Sequence, residues 1–272
     1  MDISETKQRV AGIETFYLHG GKGRPIIFLH GVPSSSYLWR NVMSPLGEDF
    51  SCYAPDLPGY AGSGNPPSFS LAEYSKWLFN FKNFVAKGEK VNLVVHDLGG
   101  PIGLSYLLEH PQEVDRLVIM DTIFSSKDLN FLMKIIINPG VVWAYLTLTN
   151  RTVFKWVMKQ TIYQKDKLDE DTINRYYQVF LRDKKERTTE RIFNLVKADL
   201  DKIVGDNISQ ITCPTLILWA EKDFALPLSI AAKITAKIKN STLKILPNCG
   251  HFSQEDEPGK VASAIKEFLE IT

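Results

Sequence analysis

Short apolar runs recur along this chain, and each is followed, after a turn, by a longer segment of helical character. The runs are Thr15–His19, Ile26–His30, Phe50–Ala54, Val91–Val95, Leu117–Met120, Thr215–Trp219 and Leu243–Leu246. Several are continuous, as expected of strands covered on both faces of a parallel sheet. The helical segments are Leu71–Lys87, Gly100–His110, Leu228–Lys237 and Lys260–Leu269. Strand and helix in alternation predict an α/β fold with a mostly parallel, doubly wound sheet. The alternation lapses over 125–208, where apolar and aromatic residues such as Ile173, Tyr176, Tyr177 and Phe180 fall at helical spacing. This predicts a core in two parts, 1–124 and 209–272, with an inserted helical lid between them.

Composition narrows the function classes. The 272 residues carry 32 basic and 31 acidic side chains, a formal charge of +1, and 44% are hydrophobic. These values exclude disordered, collagenous and disulfide-scaffold chains. Near neutrality gives no long-range pull towards nucleic acid or an anionic membrane, and it suits an uncharged substrate. The basic residues of 182–191 alternate with acids and read as a solvated helix face. Cys52, Cys213 and Cys249 form no CxxC pair, so free thiols in a reducing compartment are expected, with no structural metal. The start of the chain lacks a basic-then-apolar leader. The apolar stretch 131–148 is interrupted by Lys134 and by Asn138-Pro139-Gly140, too early to span a bilayer. The expectation is a cytoplasmic monomer or homodimer that contacts neither membrane nor nucleic acid. The glycines of Gly20-Gly21-Lys22-Gly23 read as a hairpin turn and not as a phosphate loop, so no cofactor is implied.

The chemistry concentrates in Val94-Val95-His96-Asp97-Leu98-Gly99-Gly100. A buried strand enters a tight turn and then a helix, with small residues where strand and helix must approach. Such a turn lifts its central side chain, here Asp97, above the sheet edge beside helix N–H groups. A carboxylate attacks esters poorly but displaces a leaving group at an sp³ carbon, giving an alkyl ester that activated water hydrolyses. The base is expected in Cys249-Gly250-His251-Phe252, after the last strand, and His251 is assigned that role. Asp223, after the penultimate strand, is the acid that orients it, with Asp121 at the end of Leu117–Met120 as the alternative. Leu29-His30-Gly31-Val32-Pro33 supplies a loop whose Val32 N–H joins the Leu98 N–H in an oxyanion hole. His30 reads as structural, and His96 as either a packing residue or an influence on Asp97.

Together these residues resemble the aspartate-nucleophile branch of the α/β-hydrolase family, the haloalkane dehalogenases and epoxide hydrolases. The segments 30–41, 56–64 and 95–100 carry the resemblance, which implies the α/β-hydrolase fold with an inserted helical lid and hydrolysis through an aspartyl ester. Dehalogenases of this branch generally hold the halide with a Trp after the nucleophile, and many add an Asn after the His-Gly pair. This chain has Leu98 and Val32 there, side chains without a donor. Epoxide hydrolases use lid tyrosines as acids, for which Tyr145, Tyr163, Tyr176 and Tyr177 are the candidates. The resemblance implies a small uncharged organic substrate and water, with epoxides ahead of haloalkanes. A ligand-binding relative without hydrolysis is the alternative.

Overall fold

The structure, a computed structural model, describes residues 1–128 and 131–270. Residues 129–130 of the expected lid and 271–272 at the end of the chain lie outside the described residues. Eight strands form one sheet: β1 (Ser4–Val10), β2 (Ile13–Gly20), β3 (Arg24–Leu29), β4 (Phe50–Pro55), β5 (Val91–His96), β6 (Val114–Met120), β7 (Thr215–Ala220) and β8 (Ser241–Leu246). Their order is β1-β2-β4-β3-β5-β6-β7-β8. β1 pairs antiparallel with β2 and β2 with β4, and every later pairing is parallel.

Alternation along the strands builds two cores. Ile27 and Leu29 of β3, Leu93 and Val95 of β5, Leu117 and Ile119 of β6, and Ile217 and Trp219 of β7 face one core. Ile26, Phe28, Val94, Val118, Met120, Leu216 and Leu218 face the other. Both faces are apolar because helices cover both. The first face packs on α2 (Leu71–Ala86) and α3 (Gly99–Glu109), and the second on α1 (Arg40–Leu46). Each of these aliphatic side chains contributes about 1.5–3 kcal/mol when fully buried, so the sheet centre dominates stability.

Five helices follow β6: α4 (Phe131–Ile136), α5 (Pro139–Leu148), α6 (Arg151–Thr161), α7 (Glu170–Glu186) and α8 (Thr188–Asp199). Among the described residues no strand interrupts them before β7. α9 (Leu228–Lys237) joins the first core, and after β8 come the short α10 (Ser253–Asp256) and α11 (Pro258–Glu270), the latter packed in the second core. None of the described helices is long and apolar enough to cross a membrane.

Two expectations change. Gly20-Gly21-Lys22-Gly23 is not a hairpin: it joins β2 to β3, which are separated in the sheet by β4. The glycines are needed because Gly21 and Gly23 have positive φ and lie against the backbone of Phe50 and Asp49. The hairpin instead joins β2 to β1, a strand with no apolar run. β1 is an edge strand whose Glu5, Lys7 and Arg9 are exposed, the charge that protects an edge from further pairing.

Candidate active site

The parallel strands all end on one side of the sheet, and the crossovers diverge around β3 and β5, so the loops after these strands open a crevice there. Asp97 follows β5 directly. Its φ is +49°, a left-handed backbone that a non-glycine residue adopts only when its surroundings impose it. Those surroundings are explicit. The Asp97 N–H donates to the Asp121 carbonyl at 3.2 Å, and the Thr122 hydroxyl donates to the Asp97 carbonyl at 2.6 Å. Gly99 has no room for a side chain, since a Cβ would lie 2.6 Å from the Leu29 carbonyl oxygen. Leu98 stands at the N-cap of α3 without a side-chain cap, and the Gly100 N–H donates to the Asp97 carbonyl at 3.0 Å, closing the turn.

The carboxylate of Asp97 is held from two sides. The Val32 N–H donates to Oδ1 at 2.7 Å. His251 Nε2 lies 3.6 Å from Oδ2, and His251 Nδ1 lies 2.6 Å from Asp223 Oδ2. Asp223 is fixed in turn by the N–H groups of Ala225 and Leu226, which donate to its Oδ1 at 2.8 and 2.9 Å. Asp97, Asp223 and His251, far apart in sequence, thus come together, with a hydrogen bond between His251 and Asp223 and an ion-pair distance between His251 and Asp97. Burial pushes the Asp97 carboxyl up, but His251 and the Val32 N–H outweigh it and hold it below the usual carboxylate range. Burial pushes the His251 imidazole down, but Asp223 and Asp97 raise it well above its ordinary value.

The remaining predicted residues divide. Asp121 follows β6 but does not bond His251 as Asp223 does; its Oδ1 accepts from the Ala220 N–H at 2.9 Å. His30 is structural: Leu57 N–H donates to its Nε2 at 2.9 Å, and its Nδ1 donates to the Gly31 carbonyl at 2.8 Å. His96 Nε2 donates to the His251 carbonyl at 3.0 Å, which anchors the loop that carries His251, and burial pushes the His96 imidazole down to about 4. The peptide bond between Val32 and Pro33 is cis.

The four tyrosines are spread over the helical insertion. Tyr176 is fully buried and donates to Glu255 Oε1 at 2.6 Å, and Glu255 is also bound by both terminal nitrogens of Arg40 at 2.7 and 3.0 Å. Tyr145 and Tyr177 pack on Phe180, and Tyr163 is 48% exposed. None of their hydrogen bonds reaches Asp97. Nor are the arginines of 182–191 merely solvated: Arg182 donates to the Ser63 carbonyl at 2.6 Å, and Arg191 lies over the Phe69 ring.

Two supporting residues emerge only in three dimensions. Nothing in the sequence marks Thr122, an ordinary residue after a strand. Asp256 accepts from Gly250 N–H at 2.7 Å with Oδ2 and from Gln164 N–H at 2.7 Å with Oδ1. It thereby ties the insertion to the residue before His251. Its only sequence signal is a place in the acidic run after His251.

Comparison with known proteins identifies the fold family. Residues 24–258 match the family model described as the alpha/beta hydrolase fold. The chain is 27% identical over 262 residues to haloalkane dehalogenase 2 of Mycobacterium tuberculosis, covering 92% of this chain and 90% of that protein. It is 26% identical over 286 residues to cis-3-alkyl-4-alkyloxetan-2-one decarboxylase of Shewanella oneidensis, covering 96% and 86%. Among solved structures it resembles the epoxide hydrolase CorEH with a TM-score of 0.82 and 23% identity over 98% of this chain and 99% of that one. With most of its length matched and the sheet order to agree, the chain belongs to the α/β-hydrolase fold family.

Proposed function

We propose that this α/β-fold hydrolase opens a small, uncharged, apolar electrophile through a covalent ester on Asp97. The observation that carries the reading is the Asp97 carboxylate itself, raised on a left-handed turn between the Val32 N–H and His251. In the first step Asp97 Oδ2 attacks an sp³ carbon, the C–O bond of the ring breaks, and the leaving oxygen takes the proton of the His251 imidazolium, which is left neutral. Oδ1, already on the Val32 N–H, becomes the ester carbonyl oxygen. In the second step His251 Nε2 takes a proton from water and the hydroxide adds to Cγ. Negative charge then develops on Oδ1, where the Val32 and Leu98 N–H groups stabilise it. Collapse breaks the Cγ–Oδ2 bond, the product leaves with Oδ2 and the proton from His251, and the carboxylic-acid proton left on Asp97 passes to His251, restoring the starting pair. Asp223 orients His251 and stabilises its imidazolium.

Ester formation also frees the base. The charge of Asp97 is one of the two that raise His251. Alkylation removes it, so His251 becomes easier to deprotonate when it has to accept a proton. The helical insertion acts as a lid: Tyr60 hydrogen-bonds to Thr189 and Asp256 to Gln164, which closes it over the strand ends.

Epoxides are favoured over haloalkanes because neither Leu98 nor Val32 offers a halide a side-chain donor, and one aimed donor is worth about 3 kcal/mol in the transition state. A second reading is a four-membered lactone. Its leaving group is a carboxylate that needs no acid, and the hydroxyl of Tyr176 is already committed to Glu255. The similarity to an oxetanone decarboxylase supports that reading. Single turnover in ¹⁸O-water with an alkyl oxirane, an alkyl bromide and a dialkyl oxetanone tests the scheme. Label in the Asp97 peptide is expected with the true substrate class, and label in the product alone refutes the covalent route.

A further inference from the structure

The two acid positions considered for the triad are both filled, and they meet. Asp223 has a full set of donors: Ala225 and Leu226 N–H on Oδ1 and His251 Nδ1 on Oδ2. Asp121 is fully buried, and after burial itself the Asp223 carboxylate is the neighbour that most strongly disfavours its charge. One oxygen of Asp121 accepts from the Ala220 N–H, and the other has no donor at all. As a carboxylate, Asp121 would therefore be a buried charge with one backbone donor, pressed against a second carboxylate. As a carboxylic acid, its orphan oxygen becomes an O–H, and Asp223 is the acceptor that it faces.

We propose that Asp121 is a neutral carboxylic acid that donates a hydrogen bond to Asp223, and so acts as a positioning residue for the His251–Asp223 pair. The proposal rests on the triad roles given above. The neighbours agree with it. The titratable groups that act on Asp121 are Asp223 from the loop after β7, and His251 and Cys249 from the loop after β8. Burial pushes the Cys249 thiol up to about 12, so that group is neutral. From β5 it meets the backbone N–H of Asp97. Burial first, and then the carboxylate of Asp223, raise Asp121 well above the carboxylate range, while His251 opposes them. The O–H keeps the pocket behind His251 at one negative charge instead of two. Its dipole also partly offsets the Asp223 charge that His251 Nδ1 faces.

The test uses the full-length enzyme without substrate, so its outcome does not depend on which electrophile is turned over. The infrared difference spectrum of wild type minus Asp121→Asn at pH 7 is expected to show a carboxylic-acid carbonyl band. Imidazole titration followed by NMR is the second readout. Asp121→Asn keeps a donor and should leave the His251 titration in place, whereas Asp121→Leu removes it and should move that titration up by about one pH unit. Absence of the acid band, or a downward move of the His251 titration in Asp121→Asn, would show that Asp121 is ionised and overturn the proposal. Where Asp121→Leu fails to fold, the infrared band and the Asp121→Asn titration still decide it. A purely structural Asp121 would give no acid band.

Discussion

At Gly31 one hydrogen atom separates a working site from a blocked one. A Cβ on this residue would overlap the carboxylate of Asp97. The obstructing atoms belong to a side chain, so Gly31→Ala should fold, with an unchanged circular dichroism spectrum, and lose activity by about a hundredfold or more because the nucleophile is displaced. Asp223→Asn keeps the shape of the triad but inverts a donor and an acceptor against His251 Nδ1, and should lower kcat by about 10⁴-fold. The residue scale was the most legible in sequence. That Asp97, Asp223 and His251 come together was readable because the three stand in a fixed order after successive strands. What could not be read was proximity. The choice between Asp223 and Asp121 required knowing which carboxyl reaches Nδ1, and the fate of Tyr176 required knowing that Glu255 and Arg40 surround it.

That buried cluster sets how the helical insertion sits on the core. Tyr176 of α7, Glu255 of α10 and Arg40 of α1 bring three elements from distant parts of the chain to one point. Tyr176→Phe removes one donor from a carboxylate that retains Arg40, so a loss of about 1–3 kcal/mol is expected in denaturant titration. If Tyr176 has only this anchoring task, kcat should stay within about threefold, whereas loss of turnover with retained stability would make it a proton donor. The elements themselves were legible wherever burial left an apolar run: β3, β5, β6 and β7 are covered on both faces and read as such. β1 was not, since an edge strand is selected for charge. The connector from β2 to β3 was misread because glycine marks a tight path of the backbone without saying which strands it joins.

Over the whole molecule, near-neutral charge and the uncharged substrate proposed above predict that kcat/KM stays within about twofold as ionic strength rises. The pH dependence of stability follows from His251. Its folded-state value is raised above the ordinary 6.5, so its contribution is fully present below that pH and is lost as pH climbs through the folded value. The melting temperature of wild type relative to His251→Gln should therefore fall as pH is raised through the alkaline range. The central claim is that Asp97 becomes an alkyl ester which His251 hydrolyses. It is tested most directly by the intact mass of His251→Gln after exposure to an alkyl oxirane and an alkyl oxetanone. The account predicts a stable mass increase equal to the bound substrate, located on the peptide that carries Asp97 and absent when Asp97 is also changed to Asn. An unmodified protein with both probes, or an adduct that survives Asp97→Asn, would contradict it.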